Sequence, residues 1–177
     1  MKWLLLTVLL AAAGWLGWRS TAFAGEAPKA GQPAPAFSLP DQNGKVRTQA
    51  EFRGKWLALY FYPKDDTPGC TEQACKFRDD LHQLTLLGCQ VVGVSVDASA
   101  SHAEFAQKYS LPFPLLSDAK GAVAARCGSL RDLGVLRFAK RNTFLIDPEG
   151  RIAKVYLKAD TSRNSQEIIS DLKQLTK

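Results

Sequence analysis

Residues 56–96 read WLALYFYPKDDTPGCTEQACKFRDDLHQLTLLGCQVVGVSV, and the fold follows from how the periodicity changes along them. Trp56 to Tyr62 is a short, nearly unbroken apolar and aromatic run, which suits a strand buried on both faces. Pro63 ends it, because proline has no N–H to give to a sheet. After the polar loop KDDTPG, apolar residues recur three and four apart at Ala74, Phe77, Leu81 and Leu84. That spacing predicts one face of a helix running from Cys70 to about Leu87. Gly88 follows as a helix-ending glycine, and Cys89 to Val96 is a second buried strand. A strand, a helix and a strand in this order form a βαβ unit, whose two strands pair in parallel.

Working outward, Phe37 to Leu39, the turn Asp41-Gln42-Asn43-Gly44 and the run from Val46 read as a small hairpin. Ser101 to Tyr109 is the next helix, Leu115-Leu116 a short strand and Gly121 to Arg126 a short helix. Asn142 to Ile146, the turn Asp147-Pro148-Glu149-Gly150 and Ile152 to Tyr156 make a second hairpin. Ser162 to Leu175 closes the chain as a helix, with Ile168, Ile169, Leu172 and Leu175 on one face. The expected class is α/β: a mixed central sheet flanked by helices on both faces, the thioredoxin-like arrangement. This domain takes residues 35–177, and the Gly/Pro/Ala-rich stretch 25–34 (GEAPKAGQPA) reads as a linker.

Residues 1–24 stand apart. Lys2 supplies a positive start, Trp3 to Trp18 an apolar stretch, and Ala22-Phe23-Ala24 a small-residue cleavage signature before Gly25. The stretch from Trp3 to Trp18 reaches only about 24 Å as a helix, short of a bilayer core of roughly 30 Å. A cleavable export signal is therefore expected, with an uncleaved membrane anchor as the other reading, since Trp15, Trp18 and Arg19 suit an interface. Either way the body lies outside the cytoplasm, in the periplasm or beyond. Once the signal is cleaved, no stable membrane association is expected.

The whole chain of 177 residues is 46% hydrophobic and 23% charged, which excludes a disordered chain and a multi-span membrane protein. Its formal charge of +6 falls to +4 when Lys2 and Arg19 leave with the signal. No basic run is interleaved with aromatics, so no nucleic-acid partner is expected. The four cysteines, Cys70, Cys75, Cys89 and Cys127, are too few for a disulfide framework. There is no C-x-x-C, and His82 and His102 are too scattered for a zinc pattern, so no metal or cofactor is expected. Cysteines of an exported protein that serve neither purpose invite a redox reading.

Cys70 sits where a polar loop becomes a helix. The unpaired N–H groups and the positive dipole end of a first helical turn both favour a thiolate, the attacking form of cysteine. Pro63 and Pro68 stiffen the loop that delivers it. Thr67 either orients an incoming substrate and donates to the thiolate, or caps the helix. Cys75 follows five residues later. On an intact helix that separation puts the Cα atoms roughly 8 to 9 Å apart, beyond the ~7 Å a disulfide tolerates. A bond between them requires the first turns to unwind; otherwise Cys75 is a helix thiol without a role. Cys89 reads as a core thiol, and Cys127 as a structural thiol or an alternative partner for Cys70.

Tyr60 to Ala74 (YFYPKDDTPGCTEQA), with Pro63, Thr67 and Cys70 in a P-x-x-x-T-x-x-C core, resembles the peroxiredoxin active-site motif. The C-x-x-x-x-C spacing to Cys75 is similar to the bacterioferritin-comigratory protein, or peroxiredoxin Q, subfamily. Arg141-Asn142-Thr143-Phe144-Leu145-Ile146-Asp147, Leu111 to Asp118 (LPFPLLSD) and Val94 to Asp97 (VSVD) fit the same family. The resemblance covers roughly residues 31–177. It implies that Cys70 attacks a peroxide, that Arg141 and Thr67 stabilise the developing charge, and that Pro63 shields the site. It also implies a Cys70–Cys75 disulfide, a thioredoxin-like dithiol reductant as partner, and a monomer. Residues 128–140 (GSLRDLGVLRFAK) are shorter and less aromatic than the usual family segment. Two rival readings, an exported thiol-disulfide oxidoreductase and a copper-binding thioredoxin-fold chaperone, need C-x-x-C or C-x-x-x-C, and neither is present.

Overall fold

The computed structural model describes residues 25–176; the signal expected over residues 1–24 lies outside them. Strands β1 (Ser38–Pro40) and β2 (Val46–Thr48) form the first hairpin. The central sheet has five strands, running from one edge to the other through residues 115–117, 89–95, 56–61, 143–146 and 152–156. Its parallel half is β3 (Trp56–Phe61), β4 (Cys89–Ser95) and β5 (Leu115–Ser117). Strand β8 (Thr143–Ile146) pairs antiparallel with β3, and β9 (Ile152–Tyr156) pairs antiparallel with β8 at the sheet edge. Between them run α1 (Pro68–Asp79), α2 (Leu81–Leu86), α3 (Ser99–Tyr109), α4 (Ala122–Arg126) and the closing α5 (Asn164–Leu175).

The two-residue alternation of a strand divides β3 between two cores. Ala58 and Tyr60 pack with Ala74, Phe77, Leu84, Phe105, Ile168 and Leu172, so α1, α2, α3 and α5 cover one face. Leu57, Leu59 and Phe61 pack with Phe37, Phe52, Val123 and Ala124, so α4 and the first hairpin cover the other. The sheet is mixed and has helices on both faces, as expected, but most of the helical cover lies on one.

Three details differ from the expectation. The helix of residues 70–87 is two helices, begun earlier at Pro68 and broken at Asp80, where ψ is 0°. Asp79 and Asp80 are poor helix formers in succession, and the Asp80 carboxylate accepts Ser165 Oγ at 2.6 Å. Second, residues 128–140 hold an additional hairpin, β6 (Leu130–Asp132) with β7 (Arg137–Ala139), whose outward residues mask its alternation. Third, the stretch 25–34 is bound to the body. Gly25 N–H donates to Ala125 O at 3.0 Å, Gly31 N–H to Ile152 O at 2.8 Å and Ala34 N–H to Gly150 O at 3.0 Å. Backbone groups carry this attachment, so composition conceals it. Gly128 makes room for it: a Cβ there would lie 2.4 Å from Ala27 N. No helix among the described residues is long and apolar enough to cross a membrane.

Candidate active site

Cys70 is the third residue of α1, after Pro68 at a position where a missing N–H costs nothing. Thr67 precedes the helix with extended backbone, and the first helical bond runs from Thr71 N–H to Thr67 O at 2.8 Å. The N–H groups of Gly69 and Cys70 come before that bond, so the positive end of α1 lies at the Cys70 sulfur.

The loop delivering Cys70 is pinned to α3 by two successive aspartates. Asp65 is buried and accepts Tyr62 OH at 2.7 Å, Ser101 Oγ at 2.7 Å and His102 Nδ1 at 2.8 Å. Burial pushes its carboxyl up, but these donors, His102 foremost, outweigh that and hold it below the usual carboxylate range. Asp66 takes the left-handed backbone (φ 56°), which costs a non-glycine residue about 1 kcal/mol. Its carboxylate accepts Lys108 Nζ and Tyr109 OH, each at 2.6 Å. Upstream, Phe61 N–H donates to Asn142 O at 2.8 Å and so ties the loop's start to the segment bearing Arg141.

Arg141, 71 residues beyond Cys70, donates from Nη2 to Cys70 Sγ at 3.4 Å and from Nη1 to Gln73 Oε1 at 2.9 Å. Gln73 in turn donates to Asn164 Oδ1 at 3.1 Å, which also accepts Thr143 Oγ1 at 2.7 Å. Gln73 and Asn164 are fully buried. Gly69 leaves space for the guanidinium, since a Cβ there would come within 3.3 Å of Nη2. Gln73 was not among the residues singled out in the sequence. Its signal is a polar side chain one helical turn after Cys70 on the same face.

Five other residues singled out in the sequence are placed as follows. Thr67 Oγ1 gives its hydrogen to Lys64 O at 3.0 Å, so it neither caps α1 nor donates to the sulfur. That donor bond leaves its oxygen lone pairs for an incoming O–H. Pro63 is half-buried and lines one groove together with Arg141. Cys75 is half-buried on the same continuous helix as Cys70, so the helical separation of roughly 8 to 9 Å applies. Cys89 and Cys127 are buried, and burial pushes both thiols up to about 12. Cys127 packs in the core on the opposite face of the sheet from Cys70.

Among the described residues no three metal-ligating side chains cluster. His102 is committed to Asp65, and His82 is exposed on α2. The arrangement is built for a thiol under a fixed cation. Gln73→Ala is expected to free Arg141 and lower the rate of Cys70 oxidation by about tenfold, the worth of one hydrogen bond to a charged group. Stopped-flow measurement of the first oxidation step checks this.

The chain matches the model of the AhpC/TSA family over residues 30–155. A putative peroxiredoxin bcp of Coxiella burnetii is 45% identical over 148 residues, covering 80% of this chain and 97% of that one. The chloroplastic peroxiredoxin Q of Populus jackii is 45% identical over 127 residues, 71% of this chain but only 59% of that longer one. Among solved structures, peroxidoxin BcpB of Mycobacterium tuberculosis superposes with a TM-score of 0.80 at 34% identity, over 84% of this chain and 98% of that one. The bacterioferritin comigratory protein of Xanthomonas campestris, in a structure on its alkyl peroxide reduction activity, gives a TM-score of 0.76 at 30% identity, over 84% and 100%.

Proposed function

This chain belongs to the AhpC/TSA family and is a peroxiredoxin, a thiol peroxidase that reduces hydroperoxides, and we propose that Cys70 is its peroxidatic thiol and Cys75 the resolving one. The observation that carries this reading is the contact of Arg141 Nη2 with Cys70 Sγ at the start of α1. The Cys70 thiolate attacks the terminal peroxide oxygen. An S–O bond forms, the O–O bond breaks, and the departing oxygen takes up a proton and leaves as water or an alcohol. Arg141 stabilises the negative charge that moves from sulfur onto the peroxide oxygens, with the Cys70 N–H as a further donor. Thr67 accepts the peroxide O–H and fixes its orientation, while Pro63 keeps bulk water off the reacting atoms.

Cys70 is then a sulfenic acid. The Cys75 thiol attacks its sulfur, water leaves, and an intramolecular disulfide remains. The separation along α1 demands that its first turns unwind at this step, which breaks the Gln73–Arg141 bond and dismantles the oxidising site. A thioredoxin-type dithiol restores both thiols by exchange and is itself oxidised to a disulfide. One equivalent of hydrogen peroxide should consume two thiols of the reduced protein; loss of none would refute the reading, and tight copper retention would favour a metal carrier.

Residues 1–24 act in this reading as an export signal cut after Ala24, leaving a monomer that works outside the cytoplasm. Their charge, apolar run and Ala-x-Ala ending support it. Sequencing the amino terminus of the purified protein should return Gly25, and Met1 would support the anchor instead.

A further inference from the structure

The tip of the β6–β7 hairpin holds three apolar side chains out in water: Leu133 is 61% exposed, Val135 104% and Leu136 56%. The turn is built to hold them there. Leu133 N–H donates to Leu136 O at 2.9 Å, and the Asp132 carboxylate accepts Gly134 N–H and Arg137 Nε, each at 2.8 Å. At the foot of the hairpin runs the groove lined by Pro63 and Arg141, with Leu157, 60% exposed, on its other wall. Of the charged side chains lining this groove six are basic and one is acidic. Arg131 and Lys158 have no carboxylate partner among the described residues, while Lys140 Nζ donates to Gly128 O at 3.1 Å.

The groove is also lined by Gly25 to Ala30, the first described residues. In the sequence, six residues separate them from the apolar run Trp3 to Trp18. An aliphatic tip, a basic collar and the first described residues thus share one side of the molecule. Aliphatic side chains that enter a headgroup layer while Lys and Arg meet its phosphates are the chemistry of an interfacial membrane contact. A protein-binding face has the opposite bias, with aromatic residues in its centre and lysine depleted.

We propose that this face is a membrane-contact surface: the tip Leu133–Leu136 enters the headgroup layer of an anionic bilayer, while Arg131 and Lys158 engage its phosphates. The contact is reversible, independent of the leader, and sets the groove that leads to Arg141 against the lipid. It does not depend on the roles of Cys70 and Cys75.

The test uses residues 25–177, which contain the whole sheet and both cores; a solved relative is matched over 98% of its length by 84% of this chain, so a body of this extent folds alone. Flotation is measured with vesicles of phosphatidylcholine alone and of phosphatidylcholine mixed with phosphatidylglycerol, at low and high salt. The protein should float with the mixed vesicles, release with salt, and stay down with phosphatidylcholine alone. Val135→Asp/Leu136→Asp should lower the partition by about tenfold or more, with hydrogen peroxide reduction in solution unchanged as proof of fold. Wild-type protein that stays down with the mixed vesicles would overturn the proposal. So would a double variant that floats equally well, or one that floats equally well and loses only its recycling by a thioredoxin-type dithiol, which would mark the face as a protein-docking surface.

Discussion

Cys70→Ser is expected to lose fast peroxide reduction almost completely, with the second-order constant down by at least ~10³-fold. A serine hydroxyl fits the third position of α1 without disturbing its neighbours, so the fold and its melting temperature should hardly move. What disappears is the nucleophile, since serine has no adjacent base here to ionise it: the side chain that bonds this position is the Arg141 guanidinium, a donor only. Cys89 and Cys127 cannot substitute, because burial keeps both as neutral thiols at any ordinary pH. Cys75→Ser gives the contrasting result: the first equivalent of peroxide is consumed and turnover then stops. Thiol titration against added hydrogen peroxide separates the three proteins.

Arg141→Met carries the second largest effect, a fall of about 10²–10³ in the rate of Cys70 oxidation, the usual loss when a preorganised donor to a developing charge is removed. The two ends of the guanidinium have different tasks. Nη2 faces Cys70 Sγ and in the proposed reaction acts on the reacting atoms, whereas Nη1 is held by buried Gln73, which fixes the direction of the fork. Methionine leaves Gln73 Oε1 buried without its donor, so a stability loss of about 1–3 kcal/mol should accompany the kinetic one. Arg141→Lys keeps the charge but offers no planar fork to satisfy both partners at fixed geometry. It is expected to fall between wild type and Arg141→Met, as read by stopped-flow kinetics.

Which parts of this arrangement were legible in the sequence follows from where the information sits. The βαβ unit of residues 56–96 declares itself because its periodicity switches from continuous apolar to three-and-four spacing and back. Cys70 is readable for the same reason: a helix start is a local feature with its own chemistry. Arg141 is not local. It stands beside Lys140 like any basic residue at the head of a strand, and only the resemblance raised it above that; the pairing of β3 with β8 brings it to the thiol. Gln73 reads as a surface glutamine, since nothing in its neighbours reports that α5 supplies the buried Asn164 opposite it. The sequence leaves Thr67 two tasks, cap or donor, because it cannot show that the Lys64 carbonyl takes the hydroxyl hydrogen. The hairpin of residues 130–139 was missed because most of its side chains point outward, which is also what makes its tip available.

The central claim is that peroxide chemistry at Cys70 is finished by Cys75, and therefore that α1 unwinds on oxidation. Trypsin makes it directly readable, because Lys64 and Lys76 flank both cysteines and no other basic residue lies between them. After one equivalent of hydrogen peroxide and digestion without reductant, the peptide of residues 65–76 should be lighter than its reduced form by two hydrogen atoms. The same peptide joined to the one bearing Cys127, or bearing an oxygenated Cys70 beside an untouched Cys75, would contradict the account.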